Sequence, residues 1–273
     1  MSHNEQEQTP VRQHNERHTD LPFGEVEEEL SEGGLKARHR GVYLLPNLFT
    51  TGALFCGFYA IVSGMHGNFG HAAVAIFLAM LLDGMDGRVA RMTNTQSAFG
   101  EQYDSLADMV SFGVAPALVV FSWALHDMGR WGWAAAFIYT ACAALRLARF
   151  NTQIGVVDKK YFVGLASPAA AAVVAATVWT WSDVRPVDGW AAALAALTAL
   201  TGLLMVSSFR YTSFKSVDFR GRVPFWVMLV IVLIFASLII YQEKGLLALA
   251  AIYGLSAPAQ WLLRKVGVLK PAV

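Results

Sequence analysis

The chain has 273 residues, 55% of them hydrophobic and only 15% charged, with a formal net charge of +1 and a mean hydropathy of +0.44. Soluble domains carry roughly a quarter charged residues, and the apolar residues here run together instead of alternating, so the pattern excludes a soluble globular class and indicates a polytopic membrane protein. A net charge this close to zero offers no field to gather nucleic acid, and no nucleic-acid partner is expected.

Residues 1–40 read as a disordered cytoplasmic tail. Met1 to Asp20 is rich in Gln, Asn, His and Glu and nearly free of apolar residues, which leaves nothing to bury. It lacks the hydrophobic stretch of a signal peptide. Phe23 to Leu35, with Glu27, Glu28 and Glu29, reads as a short surface helix. A bilayer core of about 30 Å then needs about 20 mostly apolar residues per crossing. Eight segments meet this: 43–64, 70–91, 99–125, 131–150, 162–181, 189–208, 223–241 and 245–263. The expected fold is all-α, a polytopic bundle with a six-helix core in 41–222 and two further helices in 223–273. Sixteen Lys and Arg residues fall at one set of helix ends, Arg88, Arg91, Arg146, Arg149, Arg210 and Lys215 among them; three, Arg130, Arg185 and Lys244, fall at the other. Positive charge collects on the cytoplasmic side, so both termini are expected there. Cys56 and Cys142 lie in apolar segments without CxxC spacing and read as packed thiols.

Four aspartates interrupt the second and third segments: Asp83, Asp86, Asp104 and Asp108. Charges at such depth cost several kcal/mol unless paired or ligated. Spacings of three and four residues put each pair on one helix face, and a hairpin of the two helices gathers all four. Anions this close repel. Divalent cations are the natural relief, and all-oxygen ligation suits hard ions, Mg²⁺ or Mn²⁺, over zinc. A proton or ion pathway, as in transporters, is the other use of intramembrane aspartates.

The residues between them weigh against transport, which stays the alternative of a different class. From Asp83 to Asp108 the chain reads D-x2-D-G-x2-A-R-x8-G-x3-D-x3-D, with Gly87, Ala90, Arg91 and Gly100 at the fixed positions. This resembles the signature of the CDP-alcohol phosphotransferases at every fixed position. Gly87 and Ala90 lack bulk and let a diphosphate approach the helix backbone, and Arg91 offers a forked donor one turn on. The resemblance implies that Asp83, Asp86, Asp104 and Asp108 hold two divalent ions and that Asp108 is also the general base. It further implies a CDP-linked lipid donor, a diphosphate contact at Ser97, a homodimer, and a site at the cytoplasmic face of a bacterial inner membrane.

Three flanking stretches resemble the phosphatidylserine synthase branch, implying CDP-diacylglycerol and L-serine as substrates. Leu45 to Thr50 opens the first helix; Asn47 and Thr50, one turn apart, are either nucleotide contacts or ordinary caps. Arg146 to Asn151 closes the fourth segment. Arg146 and Arg149 there either anchor the positive side or hold the serine carboxylate, with Asn151 beside them. Ser207 to Lys215, with Arg210 and Lys215, is an acceptor loop or a solvated one. Gly164-Leu165-Ala166-Ser167-Pro168 also matches, with Ala166 where proline is commoner. Glycerol 3-phosphate or inositol phosphate remains open as the acceptor.

Overall fold

The computed structural model describes residues 44–93, 97–153, 161–184, 186, 188–212 and 241–266, all within one compact unit, Arg38–Val273. The expected tail, the surface helix 23–35, the seventh segment (223–241) but for its last residue, and Lys215 lie outside the described residues.

Helix α1 (Leu44–Met65) and α2 (Phe69–Thr93) form a hairpin turned at Gly67, whose φ of +78° suits glycine. Helix α3 (Ala98–Asp108) runs on through a π-helical turn (Met109–Val114), α4 (Ala115–Val120), a second π-helical turn (Phe121–Leu125) and a 3-10 turn (His126–Met128). Then come α5 (Arg130–Gln153), α6 (Ser167–Thr180), α7 (Asp188–Val206) and α8 (Gln242–Lys265). Strands β1 (Tyr161–Val163) and β2 (Arg210–Thr212) pair antiparallel, Phe162 opposite Tyr211.

Two expectations need correction. The ribbon is a small departure from an all-α fold. It also shortens the fifth predicted segment: 162–181 is not helical from its start. Its first residues pair as β1, Gly164 turns at φ +84°, and the helix begins only at Ser167, where Pro168 fits the first turn. The apolar run through Tyr161–Leu165 looked like helix because periodicity cannot separate a short apolar strand from one.

Four described helices are long and apolar enough to cross a membrane, Leu45–Met65, Phe99–Met128, Gly189–Val206 and Gln242–Leu263, and Ser167–Thr180 is a shorter apolar helix. Their outer faces present Phe55, Phe58, Leu200 and Ile252 outward, as lipid contact requires. Inside, the core is dense in small residues, including Ala53, Ala60, Ala72, Ala79, Ala115 and Ala143. Small side chains let helices approach closely where lipid supplies no hydrophobic drive between them. The protein is a multi-pass membrane bundle.

The contacts fix how the helices run. Thr50 meets Asp86 and the Gly52 position faces Leu82, so α1 and α2 are antiparallel. Asn47 lies beside Gly100, Thr51 bonds Tyr103, and the Gly57 and Gly64 positions abut Ser111 and Val119. Helix α1 and the α3–α4 rod are therefore parallel and in register over five turns or so. Helix α5 returns antiparallel to that rod: Asn151 bonds Ser105, and the Tyr139 hydroxyl donates to the Phe112 carbonyl inside the first π-helical turn. One end of the bundle thus receives the C-terminal part of α2 and the start of α3.

Candidate active site

That end is where the acidic residues meet. Asp83 leaves α2 toward α3, and one carboxylate oxygen from each of Asp83, Asp104 and Asp108 lies within 4.8 Å of the others. Asp86, 6% exposed, sits alongside; its carboxylate accepts from the Thr50 hydroxyl at 2.9 Å and from the Gly87 backbone N–H. Thr50 and the first turn of α1 thereby position a carboxylate 36 residues away in sequence.

Like charges packed this closely need a counter-charge. Among the described residues no lysine or arginine forms a salt bridge with any of the four. One oxygen of Asp104, Oδ1, is buried without a hydrogen-bond partner. A buried carboxylate oxygen left bare is unusual, and oxygen donors with this convergence fit a hard divalent cation. The donor set therefore agrees with the expected metal chemistry.

The neighbouring positions leave room for a phosphate-bearing ligand. A β-carbon at Gly87 would meet only the Arg91 guanidinium, 3.5 Å away, so that face of α2 is open. Ala90 is half-buried on the same helix and Arg91 is exposed. Asn47 faces Gly100, its Oδ1 3.6 Å from where a β-carbon would sit. Ser97 is the N-cap of α3, its hydroxyl accepting from the Gly100 N–H at 3.0 Å. This cap orients the turn that starts the Asp104–Asp108 helix.

The expected acceptor residues separate. Arg146 turns into the bundle, donates from Nη1 to the Ser167 hydroxyl at 2.9 Å, and keeps a buried Nε without a partner. It stands within electrostatic reach of Asp108. Arg149 is exposed. Asn151 is spent on Ser105, donating to its hydroxyl at 3.1 Å. Arg210 lies in β2, with its side chain, like Lys215, outside what is described.

Sequence reasoning passed over Thr51, Tyr103 and Ser105, and named Ser167 only within the Gly164–Pro168 stretch, without a role. Thr51 bonds the Tyr103 hydroxyl at 2.9 Å and so ties α1 to α3 beside the aspartates. A threonine in an apolar helix ordinarily returns its hydroxyl to the carbonyl four residues back, and Thr51 does that too, to Asn47. Nothing in the local sequence distinguished the two uses.

The model of the CDP-alcohol phosphatidyltransferase family matches residues 43–204. The chain belongs to that family. Among similar proteins, the CDP-diacylglycerol–serine O-phosphatidyltransferase of Helicobacter pylori (strain ATCC 700392 / 26695) is 36% identical over 230 residues, 84% of this chain and 95% of that one. The enzyme of the same name from Bacillus subtilis (strain 168) is 34% identical over 171 residues, 63% of this chain and 91% of that one. A Mycobacterium tuberculosis phosphatidylinositol phosphate synthase with CDP-DAG bound overlaps at a TM-score of 0.45 and 23% identity, over 60% of this chain and 80% of that one. At that level nothing about the site carries across. In this CDP-alcohol phosphatidyltransferase the matched segment takes in the four aspartates and Arg146, whereas α8 lies beyond it.

Proposed function

We propose that the protein transfers the phosphatidyl group of CDP-diacylglycerol to the hydroxyl of L-serine, giving phosphatidylserine and CMP. The observation that carries the reaction is the convergence of Asp83, Asp104 and Asp108 within 4.8 Å beside an open glycine face at Gly87. Serine as the acceptor is supported by the names of the two relatives above and by Arg146, whose guanidinium, in reach of Asp108, suits a carboxylate.

Each side chain has a part in this reading. Arg91 and the open face of α2 bind the diphosphate, with Asn47, Thr50, Ser97 and Gly100 shaping the nucleotide side. Arg146 holds the serine carboxylate so that the serine hydroxyl faces Asp108; Arg149, Arg210 and Lys215 are further candidate cations for the acceptor, and Asn151 acts through its bond to Ser105. Asp108 accepts the hydroxyl proton. The serine oxygen forms its bond to the β-phosphorus as the bond to the bridging oxygen breaks, and CMP leaves with that electron pair. Two divalent ions, Mg²⁺ or Mn²⁺, held by Asp83, Asp86, Asp104 and Asp108, would supply charge neutralisation for the diphosphate and the transferring phosphoryl group. The lipid tails remain in the bilayer. The reading includes eight membrane spans with both termini and the site at the cytoplasmic face of a cell membrane, a catalytic core in 41–222 followed by two helices in 223–273, and a homodimer.

The deciding experiment supplies labelled CDP-diacylglycerol to the detergent-purified protein and follows CMP release. The acceptors are serine, glycerol 3-phosphate, inositol phosphate or none, each with and without a chelator. Chelator-sensitive release with serine alone is expected. Release with another alcohol keeps the aspartate chemistry and overturns the acceptor; no release with any acceptor reopens ion-coupled transport. A narrower expectation concerns Arg91. Losing a charge-assisted phosphate contact costs about 1.5–3 kcal/mol, so Arg91→Ala should raise the KM for CDP-diacylglycerol by about ten- to a hundred-fold and leave the KM for serine near its original value. An unchanged lipid KM would remove Arg91 from the donor site.

A further inference from the structure

The rod that carries Asp104 and Asp108 changes its winding directly after Asp108. From Met109 to Val114 it is π-helical, and the Ala115 N–H reaches back to the Val110 carbonyl, five residues before it and not four. The sequence supplies a local cause. Pro116 opens α4, and a proline has no N–H for the carbonyl four residues earlier, against which its ring also presses. That carbonyl belongs to Phe112, which is fully buried. A bare carbonyl there is costly, because neither lipid nor packed side chains can serve it. The Tyr139 hydroxyl, arriving on α5, donates to it at 3.0 Å.

Tyr139 is itself fixed in place. It is fully buried, and a β-carbon at Gly202 of α7 would lie 2.8 Å from its α-carbon. One turn further along α5, Ala143 closes on the same π-helical turn, 3.2 Å from where a β-carbon of Gly113 would sit. From the other side the Ser111 hydroxyl donates to the Ala53 carbonyl of α1 at 3.0 Å. The turn is therefore held between α1 and α5 by two buried hydroxyls. One residue in a helix is worth about 100° of rotation and about 1.5 Å of rise, and its effect here is visible against α1. From Gly57 to Gly64 α1 uses seven residues; from Ser111 to Val119, which those glycines meet, the rod uses eight. With Val119 packed on Gly64 and the extra residue absent, Asp104 and Asp108 would be turned away from Asp83.

The geometry points to Tyr139 as a positioning residue: by holding the π-helical turn that Pro116 opens, it sets the rotation of α3 that brings Asp104 and Asp108 to Asp83. This rests on the reading above, in which these aspartates hold divalent ions and Asp108 is the base. Tyr139→Phe keeps the ring and removes the hydroxyl. At saturating Mn²⁺ it should lower kcat about ten- to a hundred-fold, the scale of a small misplacement imposed from outside the site. Mn²⁺ affinity, read from the EPR signal of the free ion, should fall about ten-fold. The KM for CDP-diacylglycerol should stay within about two-fold.

Pro116→Ala separates positioning from folding, because it restores an N–H four residues after Phe112 and lets the rod continue as α-helix. In the double variant Tyr139→Phe/Pro116→Ala the Phe112 carbonyl has a partner again. Its thermal midpoint should return toward that of the wild type, while kcat and Mn²⁺ affinity stay low. A purely structural role would have kcat recover with the midpoint; that result, or an unchanged kcat in Tyr139→Phe, overturns the proposal. If Tyr139→Phe does not fold, Pro116→Ala alone decides: a folded protein with low kcat is expected, and a wild-type kcat overturns the proposal. Wild-type protein with neither Mn²⁺ binding nor chelator-sensitive CMP release would overturn the reading of the aspartates, a result distinct from unchanged variants.

Discussion

Asp108→Asn should abolish phosphatidyl transfer and leave binding of CDP-diacylglycerol largely intact. The amide matches the carboxylate in shape, so the α3 turn and its packing against α1 and α5 are preserved. What it loses is the capacity to take a proton from the acceptor hydroxyl. General-base catalysis contributes roughly 10²–10⁴-fold in rate, and kcat should fall within or beyond that range. Asp108 lies with Asp83 and Asp104 around a common point, while the diphosphate contacts assigned to Gly87 and Arg91 sit on the other helix. Donor binding and turnover should therefore come apart. The measurement is CMP release beside equilibrium binding of labelled CDP-diacylglycerol. A variant retaining a tenth of the wild-type rate would take Asp108 out of the base role; equal loss of binding would make it a ligand for the donor instead.

The second large effect is expected well away from the carboxylates. Gly57→Ala should destabilise the protein by about 1–3 kcal/mol, the cost of forcing a methyl into a packed interface, and lower activity together with stability. A β-carbon at Gly57 would lie 2.7 Å from the Ser111 α-carbon and 2.5 Å from its hydroxyl. That hydroxyl donates to the Ala53 carbonyl at 3.0 Å and is fully buried, so it has nowhere to turn. The backbone itself must move. Ser111 stands three residues past Asp108 in the π-helical turn, and α1 also carries Thr50, which holds Asp86. Spreading these two helices separates the two halves of the acidic cluster. Gly189→Ala is the matched comparison: nothing lies within 4 Å of a β-carbon there, and alanine is the better helix former by up to about 1 kcal/mol. Thermal midpoints in detergent and CMP release report both quantities. A Gly57→Ala protein as stable and active as the wild type would mean the helices slide apart freely at this crossing.

Much of the candidate site was legible because its chemistry is local. Asp83 and Asp86 share one helix face and Asp104 and Asp108 another, and the intervening Gly87, Ala90, Arg91 and Gly100 stand at spacings a helix alone makes meaningful. The long apolar runs marked the crossings for the same reason, since a bilayer imposes a length on each helix irrespective of its neighbours. The start of α6 was misplaced because β1 owes its existence to a partner strand 49 residues on, at the Phe162–Tyr211 pair of the ribbon, and no local pattern announces such a pairing.

By itself the sequence determined the membrane class, the helix hairpin and the set of carboxylates that the hairpin must gather, because each depends on the 3.6-residue period and on the cost of charge in an apolar medium. Only the tertiary structure decided which hydroxyls serve those carboxylates, that Arg146 turns inward to Ser167 while Arg149 stays exposed, and that Tyr211 of the ribbon bonds the Gly254 carbonyl of α8. Those choices follow from how closely helices can cross. Glycines at positions 57 and 202 have Ser111 and the Tyr139 backbone within 3 Å of where a side chain would begin, and it is that contact between distant segments, absent from any single stretch of chain, that sets which side chains meet.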